Sequence, residues 1–493
     1  MEKGFNNQLY VQKQTERILQ RIGQFGNKLY LEFGGKLFDD LHAARVLPGF
    51  DPNAKVKILQ KLKDQAEIIF CINAADIERN KIRADFGITY GQELMRVIDN
   101  LRGVGIYVSS IVITQYADQP AAASFRKKLE MHGEKVYFHR HTKGYPADVA
   151  TIVSEEGYGQ NPYIPTTRPL VVVTAPGPGS GKLATCLNQL YHENKHGVRA
   201  GYAKFETFPV WNLPLKHPVN VAYEAATADL NDVNMIDYFH LEKYGETTVN
   251  YNRDLAAFPV LKTILYRITG EDLYQSPTDM GVNMVGYGIT NDEIVCNAAK
   301  QEVIRRYYTA LCEDRTGNGS REAVEKLELL MKDLDLQPLD RAVVGAALRK
   351  SQQTGVPAVA IELPDGTIVA GKQNKLLSAT SGAVLNALKA MGDVADPYQL
   401  LAPKILEPIM ALNKNVLKIK KATLSLEETL ITLSIAASVD FNSLRAFNTL
   451  PKLRGCQVHS SHLLQNGDLN FLRKLGVNVT MEPKYYSDAL YLE

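Results

Sequence analysis

Short apolar runs rich in β-branched residues alternate with amphipathic stretches through residues 1–210, and this alternation restricts the chain to a sheet wrapped by helices. Leu29 to Phe33, Ile68 to Ile72, Ile106 to Thr114, Lys135 to His139, Leu170 to Thr174 and Gly201 to Phe205 read as strands. Lys55 to Glu67, Gln92 to Leu101, Ala121 to His132 and Gly181 to His196 carry helical periodicity between them. Strands joined by helical crossovers pair in parallel, because each re-enters the sheet from the same end. The expected fold class is therefore α/β with a mostly parallel sheet, and ligands of such sheets bind beyond the carboxyl ends of the strands.

The pattern changes near Val219. From there to Asp333 strand signals fade and helices dominate, at Leu255 to Thr269, Asn291 to Leu311 and Glu322 to Asp333. Alternation returns after Asp340, where the turn Pro364-Asp365-Gly366-Thr367 joins Ala358 to Leu363 with Ile368 to Ala370. Helices at Ser381 to Met391, Leu406 to Val416, Ser425 to Ser438 and Asn466 to Leu475, with strands at Gly455 to His459 and Val477 to Met481, complete a second, smaller α/β region. The expected division is residues 1–218, a phosphate- or nucleotide-binding-like α/β domain; 219–335, mainly helical; and 336–493, the C-terminal α/β domain.

One connection carries more chemistry than the others. Leu170 to Thr174 runs through Ala175-Pro-Gly-Pro-Gly-Ser-Gly181 directly into a helix that starts near Lys182. Gly177, Gly179 and Gly181 permit positive φ and close approach of backbone N–H groups to an anion. The helix start adds unpaired N–H groups and the positive end of a dipole, and Lys182 adds a full charge. Strand, glycine turn, lysine and helix follow the order of the P-loop G-x-x-x-x-G-K-[ST], with two departures. Pro176 stands where the first glycine belongs, and Leu183 stands where the Mg²⁺-binding hydroxyl belongs. Thr185, one helical turn on, is the substitute hydroxyl.

Charge and cysteine content narrow the partners. With 56 Lys+Arg against 54 Asp+Glu the net charge is +2, which gives no electrostatic reason to expect nucleic acid or an acidic membrane surface. Five scattered cysteines without a C-x-x-C suggest reduced thiols in a cytoplasmic protein. No apolar run approaches the ~20 residues that span a bilayer. A small phosphorylated molecule is the expected partner, and a homo-oligomer is compatible with the sequence.

Other constellations compete with the glycine turn. Ser276-Pro-Thr-Asp-Met-Gly-Val-Asn283 concentrates hydroxyls, a carboxylate and an amide in a Pro/Gly loop, so Thr278, Asp279 and Asn283 are expected to face the cradle. The same residue types also cap helices. His139-Arg-His-Thr-Lys143 places basic groups at the end of a strand, with His139 or His141 available to orient a second substrate. Glu32-Phe-Gly-Gly-Lys36 ends the first strand, and Asp76 is the nearest approach to a Walker-B carboxylate. His459 and His462 form a possible metal pair without carboxylate or thiol neighbours in sequence. His192-Glu193-Asn-Lys-His196 satisfies H-E-x-x-H, but on a wet turn at a helix end with no third ligand in view; cations favoured by the helix C-terminus explain it better.

Pro169 to Lys182 and Ser276 to Asn283, in that order in a chain of this length, resemble an uncharacterised bacterial cytoplasmic family known as domain of unknown function 1846. The resemblance implies an N-terminal α/β domain, a mainly helical middle and a smaller C-terminal α/β domain, and it assigns no activity. The expected function is binding of a nucleotide or phosphorylated metabolite at a degenerate P-loop, with ATP or GTP and Mg²⁺ as the cofactors considered and phosphoryl transfer or hydrolysis as the reaction. In that reading Gly177, Gly179, Ser180, Gly181, Lys182, Thr185, Thr278 and Asn283 bind the ligand. Lys182, Asp279 and His141 take the catalytic roles, and no metal ligand is assigned. The alternatives are a non-catalytic, regulatory binder of such a metabolite and a zinc hydrolase built on His192, Glu193 and His196.

Overall fold

A computed structural model describes residues 2–83, 87–419 and 423–486. The chain forms two compact units, one of residues 2–224 and 231–299, the other of residues 225–230 and 300–493. Residues 219–335 contribute to both.

Six parallel strands build the sheet of the larger unit: β1 (Leu29–Phe33), β2 (Ala66–Asn73), β3 (Tyr107–Thr114), β4 (Val136–Phe138), β5 (Leu170–Thr174) and β6 (Gly201–Phe205). Their spatial order is β4-β3-β2-β5-β1-β6. All five residues of β1 and of β5 are buried, as a sheet covered on both faces demands. From β2 the chain steps outward to β3 and β4, then returns to place β5 on the opposite side of β2. The strand order thus reverses between β2 and β5, which opens a crevice at their carboxyl ends.

Each expected strand is present within a residue or two. The stretch read as a helix from Lys55 to Glu67 stops at Lys61, because Ala66 and Glu67 already belong to β2. There Glu67 is buried and its carboxylate accepts from the N–H groups of Thr167 and Arg168. The helix Asn7–Gln24 lies outside the expected alternation. Its buried Gln14 takes the place of an apolar residue and donates to the Val282 carbonyl, which weakens the periodic signal. A two-stranded antiparallel ribbon, β7 (Asn234–Ile236) with β8 (Val249–Tyr251), interrupts the expected helical middle.

The second unit holds a mixed sheet of β9 (Ala358–Glu362), β10 (Ile368–Lys372), β11 (Gln457–Ser460) and β12 (Asn478–Met481), in the order β10-β9-β11-β12. The β9–β10 hairpin turns through Pro364 to Thr367 as read from the sequence. Val359, Ile361, Leu388, Leu433, Val458 and Leu472 share one buried cluster between this sheet and its helices.

Helix Ala379–Met391 lies so close to β10 that a Cβ added at Gly371 would sit 2.1 Å from Ala383 N and 2.4 Å from Gly382 C. Gly371→Ala is therefore expected to cost about 2–3 kcal/mol by overpacking against backbone. Gly467→Ala, whose added Cβ meets nothing within 4 Å on the helix Asn466–Lys474, is expected to be neutral or slightly stabilising. Denaturant unfolding followed by circular dichroism measures both; matching midpoints would contradict the close approach.

Candidate functional site

The glycine turn lies at the strand-order reversal. β5 is paired along both edges, with β2 and with β1, so its chain can leave the sheet only past their carboxyl ends. Residues 175–181 make that exit, and Gly179 (φ 69°) and Gly181 (φ 79°) adopt left-handed conformations that a side chain resists. Neighbours also crowd out side chains at Gly177 and again at Gly181. A Cβ at Gly177 would lie 2.5 Å from the Tyr90 hydroxyl, and one at Gly181 would lie 3.0 Å from the Thr114 side chain.

The carbonyls of this turn face the protein. Asn73 Nδ2, at the end of β2, donates to Gly179 O at 3.2 Å, and Thr114 Oγ1, at the end of β3, donates to Ser180 O at 2.8 Å. Ser180 Oγ donates to Gly177 O, and Thr185 Oγ1 donates to Gly181 O at 3.0 Å. Among the described residues the N–H groups of Gly177, Gly179, Ser180 and Gly181 have no hydrogen-bond partner, while their carbonyls are committed to the protein. Gly181 is the N-cap of the helix Lys182–Lys195 and supplies no side-chain acceptor, so the N–H groups of Lys182, Leu183 and Ala184 have no partner within the helix. Lys182 is half-buried, and among the described residues its ammonium has no ion-pair partner.

Two expected ligands of a phosphate or Mg²⁺ have other employment. Thr185 is buried, and its hydroxyl donates to Gly181 O and accepts the Cys71 thiol at 3.4 Å. Burial, opposed by this hydroxyl partner and by Lys182, pushes the Cys71 thiol up to about 12, so it stays protonated. Ser180 is equally buried beneath the turn.

The structure brings Gly177, Gly179, Ser180, Gly181, Lys182 and Thr185 together and keeps the remaining expected residues apart from them. Gly281 pairs with Lys204 beyond β6, the outermost strand on that side. Two strand spacings separate β5 from β6 and a third reaches this segment, about 14 Å in all. There Asp279 accepts from the Tyr244 hydroxyl and the Gln275 N–H, Thr278 Oγ1 donates to Asp237, and Asn283 Nδ2 donates to Thr207 O. These polar groups fasten their own loop. His141 lies after β4 at the opposite edge, three strand spacings from β5 and again about 14 Å away, and it is exposed. Asp76 is buried and paired with Arg79 and Lys81.

The H-E-x-x-H helix end is bound into the amino-terminal half of the sheet. Glu193 is buried and accepts from the hydroxyls of Tyr30 at 2.6 Å and Tyr163 at 3.2 Å. His192 Nε2 lies 2.8 Å from Asn161 O, and His196 is exposed.

Sequence reasoning missed a second polar cluster, at the ends of β1 and β6. Lys204 bridges Asp254 at 2.7 Å and Glu206 at 3.2 Å. Burial opposes its charge, but Asp254, Glu206 and Glu32 outweigh burial and hold the ammonium above the ordinary lysine value. Lys55, 2% exposed, donates to Gly34 O at 3.0 Å, and burial lowers its pKa despite Asp40 and Glu206. Glu206 packs against Gly34 so closely that a Cβ there would be 2.3 Å from its Cγ. Among the described residues the buried hydroxyls of Tyr251 and Thr207 lack hydrogen-bond partners at this end of the sheet. The usable signal was position: Glu32, Gly34, Lys204, Glu206 and Thr207 end, or directly follow, strands of a parallel sheet.

Residues 3–335 match the family described as Domain of unknown function DUF1846, N-terminal, and residues 339–491 match Domain of unknown function DUF1846, C-terminal. A "UPF0371 protein" of Clostridium botulinum (strain Alaska E43 / Type E3) is 54% identical over 500 residues, covering 100% of this chain and 99% of the relative. A "UPF0371 protein" of Streptococcus pneumoniae (strain JJA) is 54% identical over 490 residues, covering 99% of each. No described helix is long and apolar enough to cross a membrane.

His139 yields a test of the surroundings. It is buried beside Pro162 O, and burial depresses its pKa to about 4 from an unfolded value of 6.5. The unfolded chain therefore binds a proton that the folded chain refuses, so this stabilisation is complete above pH 6.5 and is lost as pH falls toward 4, on the order of 3 kcal/mol. His139→Asn is expected to flatten the stability profile between pH 6.5 and 4, as measured by denaturant midpoints across that window. An unchanged slope would remove His139 from the acid sensitivity.

Proposed function

Because the chain belongs to the DUF1846 family, whose names assign no chemistry, we propose a function from its own residues: binding of a phosphorylated small molecule, a nucleotide first, at Gly177 to Ala184. The observation that carries this reading is the turn's one-sided hydrogen bonding. Carbonyls of four residues accept from within the protein, and among the described residues the N–H groups at the helix start have no partner and the half-buried Lys182 has no counter-charge. A phosphate oxygen would satisfy both the dipole and the ammonium.

Binding is better supported than Mg²⁺-dependent hydrolysis. Leu183 replaces the metal-binding hydroxyl, and Thr185 is spent on Gly181 O and Cys71. A regulatory binder of a phosphorylated metabolite is therefore the second reading. If chemistry does occur, Lys182 neutralises charge on the transferred group, and the polar cluster around Glu206 is the place for the second reactant, about 10 Å away across two strand spacings.

Isothermal titration with ATP, GTP and inorganic phosphate, with and without Mg²⁺, tests the site. Lys182→Ala is expected to weaken binding about tenfold or more, the scale of one charge-assisted contact. Equal affinity in the two proteins would remove the glycine turn from consideration. Nucleotide turnover by the natural chain would favour the enzyme over the regulator.

A further inference from the structure

Among the described residues one group of metal-ligating side chains brings three donors together: His217, Asp292 and Cys296, whose ligand atoms all lie within 4.8 Å of one another. All three belong to the larger unit. His217 immediately precedes the helix Pro218–Ala226, while Asp292 and Cys296 stand one turn apart, and so on one face, at the start of the helix Asp292–Arg315. His217 is buried, Cys296 is half-buried, and the Asp292 side chain is 66% exposed, so an ion reaches the cluster from solvent.

We propose that His217, Asp292 and Cys296 bind one divalent zinc-class cation, with a fourth position left for water. The geometry carries the inference. His217 Nε2 to Asp292 Oδ1 is 3.0 Å, Cys296 Sγ to His217 Nε2 is 3.5 Å, and Cys296 Sγ to Asp292 Oδ2 is 3.6 Å. Zinc–ligand bonds of about 2.0–2.3 Å at tetrahedral angles place donors about 3.3–3.6 Å apart, so the two contacts of the thiol match and the hydrogen-bonded imidazole–carboxylate pair opens by about 0.3 Å on binding. The chemistry agrees, since thiolate, imidazole and carboxylate form a mixed set suited to zinc, and one thiolate with one carboxylate balances a divalent charge.

Binding changes two protons. The Cys296 thiol loses its proton to solvent, and the imidazole proton moves from Nε2 to Nδ1. In the structure Nδ1 accepts the Val219 N–H at 3.2 Å, which fixes the Nε2–H form that donates to Asp292. The cation displaces that arrangement, so three hydrogen bonds, from Nε2–H and the Cys296 thiol to Asp292 and from the Val219 N–H to Nδ1, are exchanged for three metal–ligand bonds.

Tag-free full-length protein, stripped with chelator and titrated with Co²⁺, provides the test. One equivalent is expected to bind with a thiolate-to-cobalt charge-transfer band, and Zn²⁺ is expected to displace it. Cys296→Ser is expected to abolish the band, and Asp292→Asn, at an exposed position, to weaken binding by about tenfold or more. Cys456→Ser and Lys182→Ala are expected to leave cobalt binding intact, which keeps this result separate from that of the glycine turn. A natural chain that shows no charge-transfer band, or a Cys296→Ser variant of normal circular dichroism that keeps it, would overturn the site.

Discussion

The pairing of β5 on both edges is the constraint from which the candidate site follows. A strand hydrogen-bonded to β2 and to β1, with all five residues buried, has no lateral freedom. Its chain emerges at a fixed point and must turn at once to cover the sheet with the helix Lys182–Lys195. In so short a turn the carbonyls bond to whatever lies beneath, and beneath lie Asn73 and Thr114 at the ends of β2 and β3. The commitment of these carbonyls to the protein is a consequence of where the strands end. Glycine at 179 and 181 follows from the left-handed backbone that this geometry requires.

Electrostatics distinguishes Lys182 from other partly buried lysines nearby. Lys204 is flanked by Asp254 and Glu206, and Lys55 lies 3.6 Å from Asp40. Both charges are compensated within the fold, as partial burial demands. Among the described residues Lys182 makes no ion pair, and the thiols of Cys71 and Cys186 that feel its charge are kept protonated by burial. A cation left uncompensated beside unpaired N–H groups is a local disadvantage for the isolated chain and a gain once an anion arrives.

Legibility in the sequence tracked how local each determinant is. The strands were legible because β-branched runs buried on both faces leave a continuous apolar signal, as Leu170 to Val173 does. The glycine turn was legible because strand, turn, lysine and helix are contiguous. The helix Asn7–Gln24 was not, because Gln14 occupies a core position and finds its partner 268 residues away at Val282. Asn73, Thr114 and Glu206 were invisible as site residues for the same reason: no spacing relates them to Lys182, and strand order alone makes them neighbours. Conversely, Asp279 and Thr278 had the right residue types, but they belong to a segment that docks outside β6 through Gly281.

The H-E-x-x-H stretch shows why spacing alone is a weak guide to chemistry. The spacing puts His192 and His196 one turn apart, yet the sheet decides what the intervening glutamate does. Tyr30 on β1 points its hydroxyl at the same helix, so Glu193 turns inward as an acceptor and its carboxylate is consumed by hydroxyls. His217, Asp292 and Cys296 present the opposite case. Their 75-residue separation hides them from any motif, while helix starts that face each other bring imidazole, carboxylate and thiol within bonding distance of a common point. A ligand set is therefore defined by convergence of donor atoms on a common point, a property that tertiary packing confers and sequence spacing only imitates.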